Sequence, residues 1–143
     1  MTTFEELYQR LTKASVQGCL SKEVDQVRKE EYDPYQLDCL LNPDRHPPVI
    51  RIGDCASSED ERAAYAGKCL FDALYRDEKG NVVVNSDLCV GCEECVRGCR
   101  AKKLTESRDI LPTLEDIHSA KAPVFAMVAP AFINQFSEDV TPG

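Results

Sequence analysis

Cys89-Val90-Gly91-Cys92-Glu93-Glu94-Cys95-Val96-Arg97-Gly98-Cys99 is the stretch on which the reading of this chain turns. It places four cysteines in eleven residues at the spacing C-x2-C-x2-C-x3-C. Buried as small hydrophobes, these thiols would not share one polar, glycine-bearing loop. A single zinc ion is suited by two C-x2-C pairs separated by a finger-length loop, whereas three cysteines at x2 intervals crowd one tetrahedral centre. A tight loop of this kind instead presents three thiolates to three corners of a cube. Gly91 provides room where the backbone must curl, and amides freed by the curl can donate to sulfur.

That spacing is the run of a [4Fe–4S] site, in whose two-cluster form the fourth cysteine serves the other cluster. The centre held by Cys89, Cys92 and Cys95 therefore needs a remote fourth ligand. A weak internal repeat supplies it. Val49-Ile50-Arg51-Ile52 is a strand-like run followed by Gly53, Asp54 and Cys55; Val82-Val83-Val84 is another, followed by Asn85 to Cys89. Each half then carries a second cysteine, Cys69 or Cys99, after a stretch able to form a short helix. Five residues further on stands a leucine in both halves, Leu74 or Leu104, and each segment also holds an alanine, Ala73 or Ala101. Asp77-Glu78-Lys79-Gly80 separates residues 71–75 from 81–85 as a hairpin turn would. The repeat assigns Cys69, Cys89, Cys92 and Cys95 to one cluster.

Four of the eight cysteines remain. Cys99 is left over, and symmetry offers Cys55 as its first-half partner. No cysteine stands between Cys55 and Cys69, so the first half lacks two ligands. The spare thiols are Cys19 and Cys39. Either they fold back to complete a second cluster with Cys55 and Cys99, or they are core residues and the second site is lost.

The whole chain has 143 residues and a mass of 16.0 kDa, room for one domain or a small domain with a tail at each end. Its formal charge of −8 argues against nucleic acid, which needs a basic face, and suits partners with basic patches. No run approaches the roughly 18 apolar residues of a membrane span. Met1-Thr2-Thr3-Phe4-Glu5-Glu6 has neither a positive nor an apolar signal region, so a cytoplasmic location with reduced cysteines is expected, and a disulfide framework is set aside.

Outside the repeat, Thr3 to Glu6 has capping-box spacing, and Phe4, Leu7, Tyr8 and Leu11 recur at helical intervals, predicting a helix over about residues 3–17 with Gly18 as its stop. A second helix is expected after Ser21, with Val24 and Val27 as a thin apolar stripe. Asp33-Pro34 and Pro43, Pro47 and Pro48 read as loop, with His46 a solvated loop histidine. Thr113 is placed as the cap of a helix reaching about Ala120. The apolar run from Pro123 to Ala129 suits a strand buried on both faces. The thirteen residues after Pro130 cannot build the sheet it would need, so self-association through residues 123–129, or docking to a partner, is expected.

Residues 49–104 resemble the bacterial two-cluster ferredoxin family, with one half intact and the other rewritten. The match lies at Cys89, Cys92, Cys95 and Cys99, and at Cys69 with its following Leu-Phe-Asp-Ala-Leu. Arg100 departs from it, standing where a proline usually follows the fourth cysteine. Residues 123–137, Pro-Val-Phe-Ala-Met-Val-Ala-Pro-Ala-Phe-Ile-Asn-Gln-Phe-Ser, resemble the first strand and helix start of the catalytic domain in [FeFe]-hydrogenase-like proteins, where a ferredoxin module precedes that domain. That family's catalytic-cluster cysteines lie further downstream, and this chain stops at Gly143.

These resemblances imply an α+β, ferredoxin-like iron–sulfur domain at 49–104, between a helical N-terminal extension at 1–48 and a strand-helix tail at 105–143. The function they imply is one-electron transfer to or from a hydrogenase-like partner or domain, with no catalytic residue of the chain's own. A redox-sensing or interaction module with a structural cluster is the alternative from another class, and a zinc-binding module is the third reading.

Overall fold

The computed structural model describes residues 2–53, 69–78, 82–99 and 101–127. It is an α+β arrangement of helices and two small antiparallel sheets. Helix α1 (Phe4–Val16) begins as its sequence demands: the Thr3 hydroxyl accepts from the Glu6 amide at 3.3 Å, and Glu6 accepts from the Thr3 amide at 2.9 Å. It ends at Gly18, whose φ of +68° lets the amides of Gly18 and Cys19 turn back to the carbonyls of Ser15 and Ala14, both at 2.9 Å.

Helix α2 (Leu20–Val27) buries Val24 and Val27, the thin stripe expected, although Cys19 rather than Ser21 stands at its cap. Arg10 of α1 ties the pair together, reaching Glu23 and Glu30 at 2.7 Å each. Both carboxylates hold the guanidinium in its charged form.

Helix α3 (Pro34–Leu41) corrects the loop expected there. Proline is tolerated in the first helical turn because its missing N–H has no partner to lose, and the Asp33 side chain caps the helix by accepting from the Tyr35 amide at 2.9 Å. A 3-10 turn over Pro43–Arg45 follows. His46 is also corrected: its side chain is only 13% exposed, and its Nε2 sits 2.7 Å from an Asp38 carboxylate oxygen. The Tyr35 ring meets it edge to face at 5.4 Å.

Strand β1 (Val49–Arg51) pairs antiparallel with β4 (Leu104–Glu106), and β2 (Leu74–Arg76) pairs antiparallel with β3 (Val82–Val84). The hairpin expected between residues 71–75 and 81–85 therefore forms, one residue displaced in its first strand. Successive strand residues face opposite ways, and β1 uses both faces. Val49 and Ile50 are each only 1% exposed, yet they belong to different cores. Ile50 packs with Phe4, Leu7, Leu11, Leu37 and Leu40 of the helices; Val49 packs with Val82, Leu104, Cys95 and Cys99. The β1–β4 ribbon is thus the wall between a helical core and a cysteine core.

Two more helices are described, α4 (Glu94–Gly98) and α5 (Ile110–Ser119). Helix α5 starts three residues before the expected Pro112-Thr113, with Asp109 at its cap. Thr113 lies inside the helix and donates its hydroxyl to the Asp109 carbonyl at 2.8 Å. Leu111 buries α5 in the helical core, and Ser15 donates to Glu115 at 3.0 Å. Arg108 anchors the approach to α5, lying over the Tyr8 ring at 4.2 Å and pairing with Glu5 at 3.0 Å. The helical core thus draws on residues before 49, on Ile50, and on Leu111 beyond 104.

The buried strand expected from Pro123 is not present over residues 123–127, which are irregular and exposed, Phe125 at 88% and Met127 at 98%. A strand needs a neighbour to take its amides and carbonyls, and none pairs with it here. The remainder of that run, from Val128, lies outside the described residues. Among the described residues no helix is long and apolar enough to cross a membrane.

A candidate cysteine cluster site

The loop from Asn85 to Glu93 is held open from its base. The Asn85 amide donates to the Ala73 carbonyl at 2.7 Å, fastening the end of β3 to the start of β2, and the Cys89 amide donates to the Asn85 carbonyl at 3.0 Å. Gly91 then takes φ +69°, and a side chain there would place its Cβ 3.2 Å from the Cβ of Pro48. Both facts call for glycine: an L-residue is strained at that φ, and the strap before β1 leaves no room for a methyl. Glu93, with φ +61°, turns the chain into α4, which carries Cys95 inward. Arg97 on that helix donates to the Cys92 carbonyl at 3.3 Å and to Glu94 at 3.0 Å.

Cys69 approaches from the other arm. Its sulfur accepts from the Ala73 amide at 3.3 Å. Cys69, Cys89, Cys92 and Cys95 all line one cleft of about 340 Å³, walled by Val49, Ala73, Leu74, Val84 and Phe71. These are the four thiols that the repeat assigned to one cluster. Cys95 is buried, Cys69 and Cys89 half-buried, and Cys92 exposed at the rim. Burial pushes the Cys95 thiol up, opposed by a hydrogen bond from the Val96 amide and reinforced by charge on Cys89 and Cys69. Sulfurs that repel one another when ionised are stabilised by positive charge between them.

The donor set therefore fits an iron–sulfur group: four soft thiolates on an apolar cleft, one amide already aimed at a sulfur, and a glycine where the loop is tightest. Among the described residues, no group of three His, Cys, Asp or Glu side chains is drawn together closely enough to hold a single metal ion. The thiols line the cleft without converging on a point.

Cys99 closes α4 on the far side, 4% exposed in the cysteine core, and does not line the cleft. Its sulfur accepts from the Lys103 amide at 3.3 Å. Cys39 is fully buried in the helical core, where burial pushes its thiol up to about 11. Cys19 stands at the start of α2, half-buried, 4.0 Å from Gln17. Cys39 and Cys99 thus belong to different cores, and Cys55 and Arg100 lie outside the described residues.

Sequence reasoning passed over the amide donors from Ala73 and Lys103. The matching interval of four residues after Cys69 and Cys99 was the signal for them. It also passed over Pro48, whose contact with Gly91 joins residues distant in sequence. Comparison of the chain with protein-family models, curated proteins and solved structures gave no match.

Proposed function

We propose that residues 49–104 form a ferredoxin-like module that binds a [4Fe–4S] cluster through Cys69, Cys89, Cys92 and Cys95 and carries single electrons. The observation that carries this reading is the shared cleft: the four cysteines nominated by spacing and repeat line one apolar pocket from two separate arms. When bound, the cluster supplies a reversible one-electron couple. The chain holds it by four thiolates. The Ala73 amide, directed at the Cys69 sulfur, stabilises the added negative charge of the reduced state. Val49, Leu74 and Val84 keep water from one side, while Cys92 at the exposed rim leaves an edge through which an electron can pass.

The other redox centre in this proposal belongs to a hydrogenase-like partner or domain, a reading supported by residues 123–137 alone. Anaerobic reconstitution with iron and sulfide tests the cluster. About four of each per chain and a reversible one-electron reduction are expected; about eight of each would add the second cluster with Cys99, Cys55, Cys39 and Cys19. Stoichiometric zinc in place of iron would overturn the cluster. A cluster that forms but does not cycle would overturn the electron-transfer role in favour of a structural one.

A further inference from the structure

We propose that the surface around this cleft is a docking face for a redox protein that presents an apolar patch ringed by lysines and arginines. The proposal rests on the cluster reading above and names the partner's chemistry. Leu70 is 88% exposed and Val90 60%, with Phe71 and Leu88 close to half exposed. Leu70 and Phe71 directly follow Cys69, and Leu88 and Val90 bracket Cys89. Phe71 and Val90 line the cleft itself, so the two arms bring their apolar side chains to one opening. Single exposed apolar residues are ordinary; several gathered at one opening with a polar fringe mark an interaction surface.

The fringe is acidic. Asp72, Asp87, Glu93 and Glu94 are exposed on the same two arms, and the nearby Arg97 is engaged by Glu94 and by the Cys92 carbonyl. The net charge of −8 extends this sign over the molecule. An apolar centre with a charged rim is the anatomy of a protein interface, and complementary rims speed encounter. A second copy of this chain would set these carboxylates against themselves, and nucleic acid or an anionic membrane would be repelled in the same way. A basic-rimmed protein is the occupant that the charge favours. In the transfer, the bound cluster is oxidised by one electron and the partner's centre is reduced by one; no bond or proton changes hands.

The test uses the full chain, reconstituted and reduced, mixed in stopped flow with ferric cytochrome c as a basic-rimmed probe and separately with a small neutral dye. Leu70→Gln with Leu88→Gln alters only exposed side chains that do not line the cleft. The double variant should transfer to cytochrome c about tenfold more slowly, the equivalent of losing about 1.4 kcal/mol, with its dye rate unchanged. Asp87→Lys should slow the cytochrome reaction at low salt and match the parent at high salt. Equal cytochrome rates in parent and double variant, with normal dye reduction, would overturn the docking face and leave the cluster reading standing. Self-association of the parent that the double variant abolishes would overturn it in favour of a second copy. A chain that reduces neither acceptor would overturn both readings.

Discussion

Asp72 and Lys102 adopt the same unusual backbone conformation, φ +50° and φ +51°, each three residues after a cysteine. Each turn is followed by an amide that donates to that cysteine's sulfur, Ala73 to Cys69 and Lys103 to Cys99, both at 3.3 Å. A left-handed residue other than glycine costs about 1 kcal/mol, and it recurs here in both halves of the repeat. The physical return is an N–H held against sulfur at the start of a strand, since Leu74 opens β2 and Leu104 opens β4. The internal repeat thus extends from residue spacing to backbone angle and hydrogen bond.

Replacing Cys69 with Ala removes one wall of the cleft and the acceptor for the Ala73 amide. Reconstituted protein should lose most of its bound iron and sulfide, whereas Cys19→Ala should keep it. Unchanged iron content and visible spectrum in the Cys69 variant would reject its assignment as a ligand.

Gly91→Ala should impair the site without touching a thiol. The positive φ costs about 1 kcal/mol, and the new methyl presses on Pro48 at 3.2 Å. Faster cluster loss to a chelator is expected, with the helical content seen by circular dichroism unaltered. A variant that releases iron at the parent rate would show that the strap does not constrain the loop.

Iron removal should act on one core and spare the other. The cysteine core is small, and its buried members include Cys95 and Cys99 themselves, whereas the helical core holds Phe4, Leu7, Leu11, Leu37, Leu40 and Leu111. Metal ligation offsets chain entropy only where the ligands are. In the chelated protein, amide exchange protection should vanish at Val83 and Lys103 and persist at Leu11 and Leu40. Loss of protection throughout would mean that the β1–β4 wall transmits the collapse.

Cys39 should stay unreactive in the folded protein. Its thiol, pushed up to about 11 by burial, is uncharged at neutral pH and fully covered. Iodoacetamide at pH 8 should label Cys92 in the apo protein and leave Cys39 unmodified until denaturant is added, as read by mass spectrometry. Labelling of both at similar rates would contradict this packing.

The pair of Asp38 and His46 sets a pH dependence with a definite sign. His46, and then Asn42, hold the Asp38 carboxyl below its ordinary value. A lowered carboxyl contributes stability above its unfolded pKa of about 3.9 and loses it as pH falls through the folded value. Asp38→Asn should therefore lower the urea midpoint at pH 5, and the difference from the parent should fade in stronger acid. A difference that grows on acidification would reverse the sign and exclude this pairing as its source.

Much of the local structure was legible from the residues themselves. The Thr3–Glu6 box and Gly18 bound α1 because capping chemistry acts within a few residues, and the valines at 82–84 marked β3 because β-branched runs seldom settle elsewhere. Pro34 misled because the same fixed φ that breaks a helix interior suits its first turn, and only a preceding cap such as Asp33 separates the two cases. The run from Pro123 misled because apolar character predicts burial only where something is present to bury against.

The sequence by itself determined the cysteine spacing, the repeat and the assignment of Cys69 to the run at Cys89, since each depends on intervals along one chain. Tertiary structure alone decided that β1 would be a wall with a core on each face, that Pro48 would press on Gly91, and that Cys39 would face the helices while Cys99 faced the sheet. Those outcomes depend on which surfaces meet across long separations, and no local interval encodes them. A cysteine looks the same in sequence whether it lines a cleft or fills a core; the neighbours that folding brings to it make the difference.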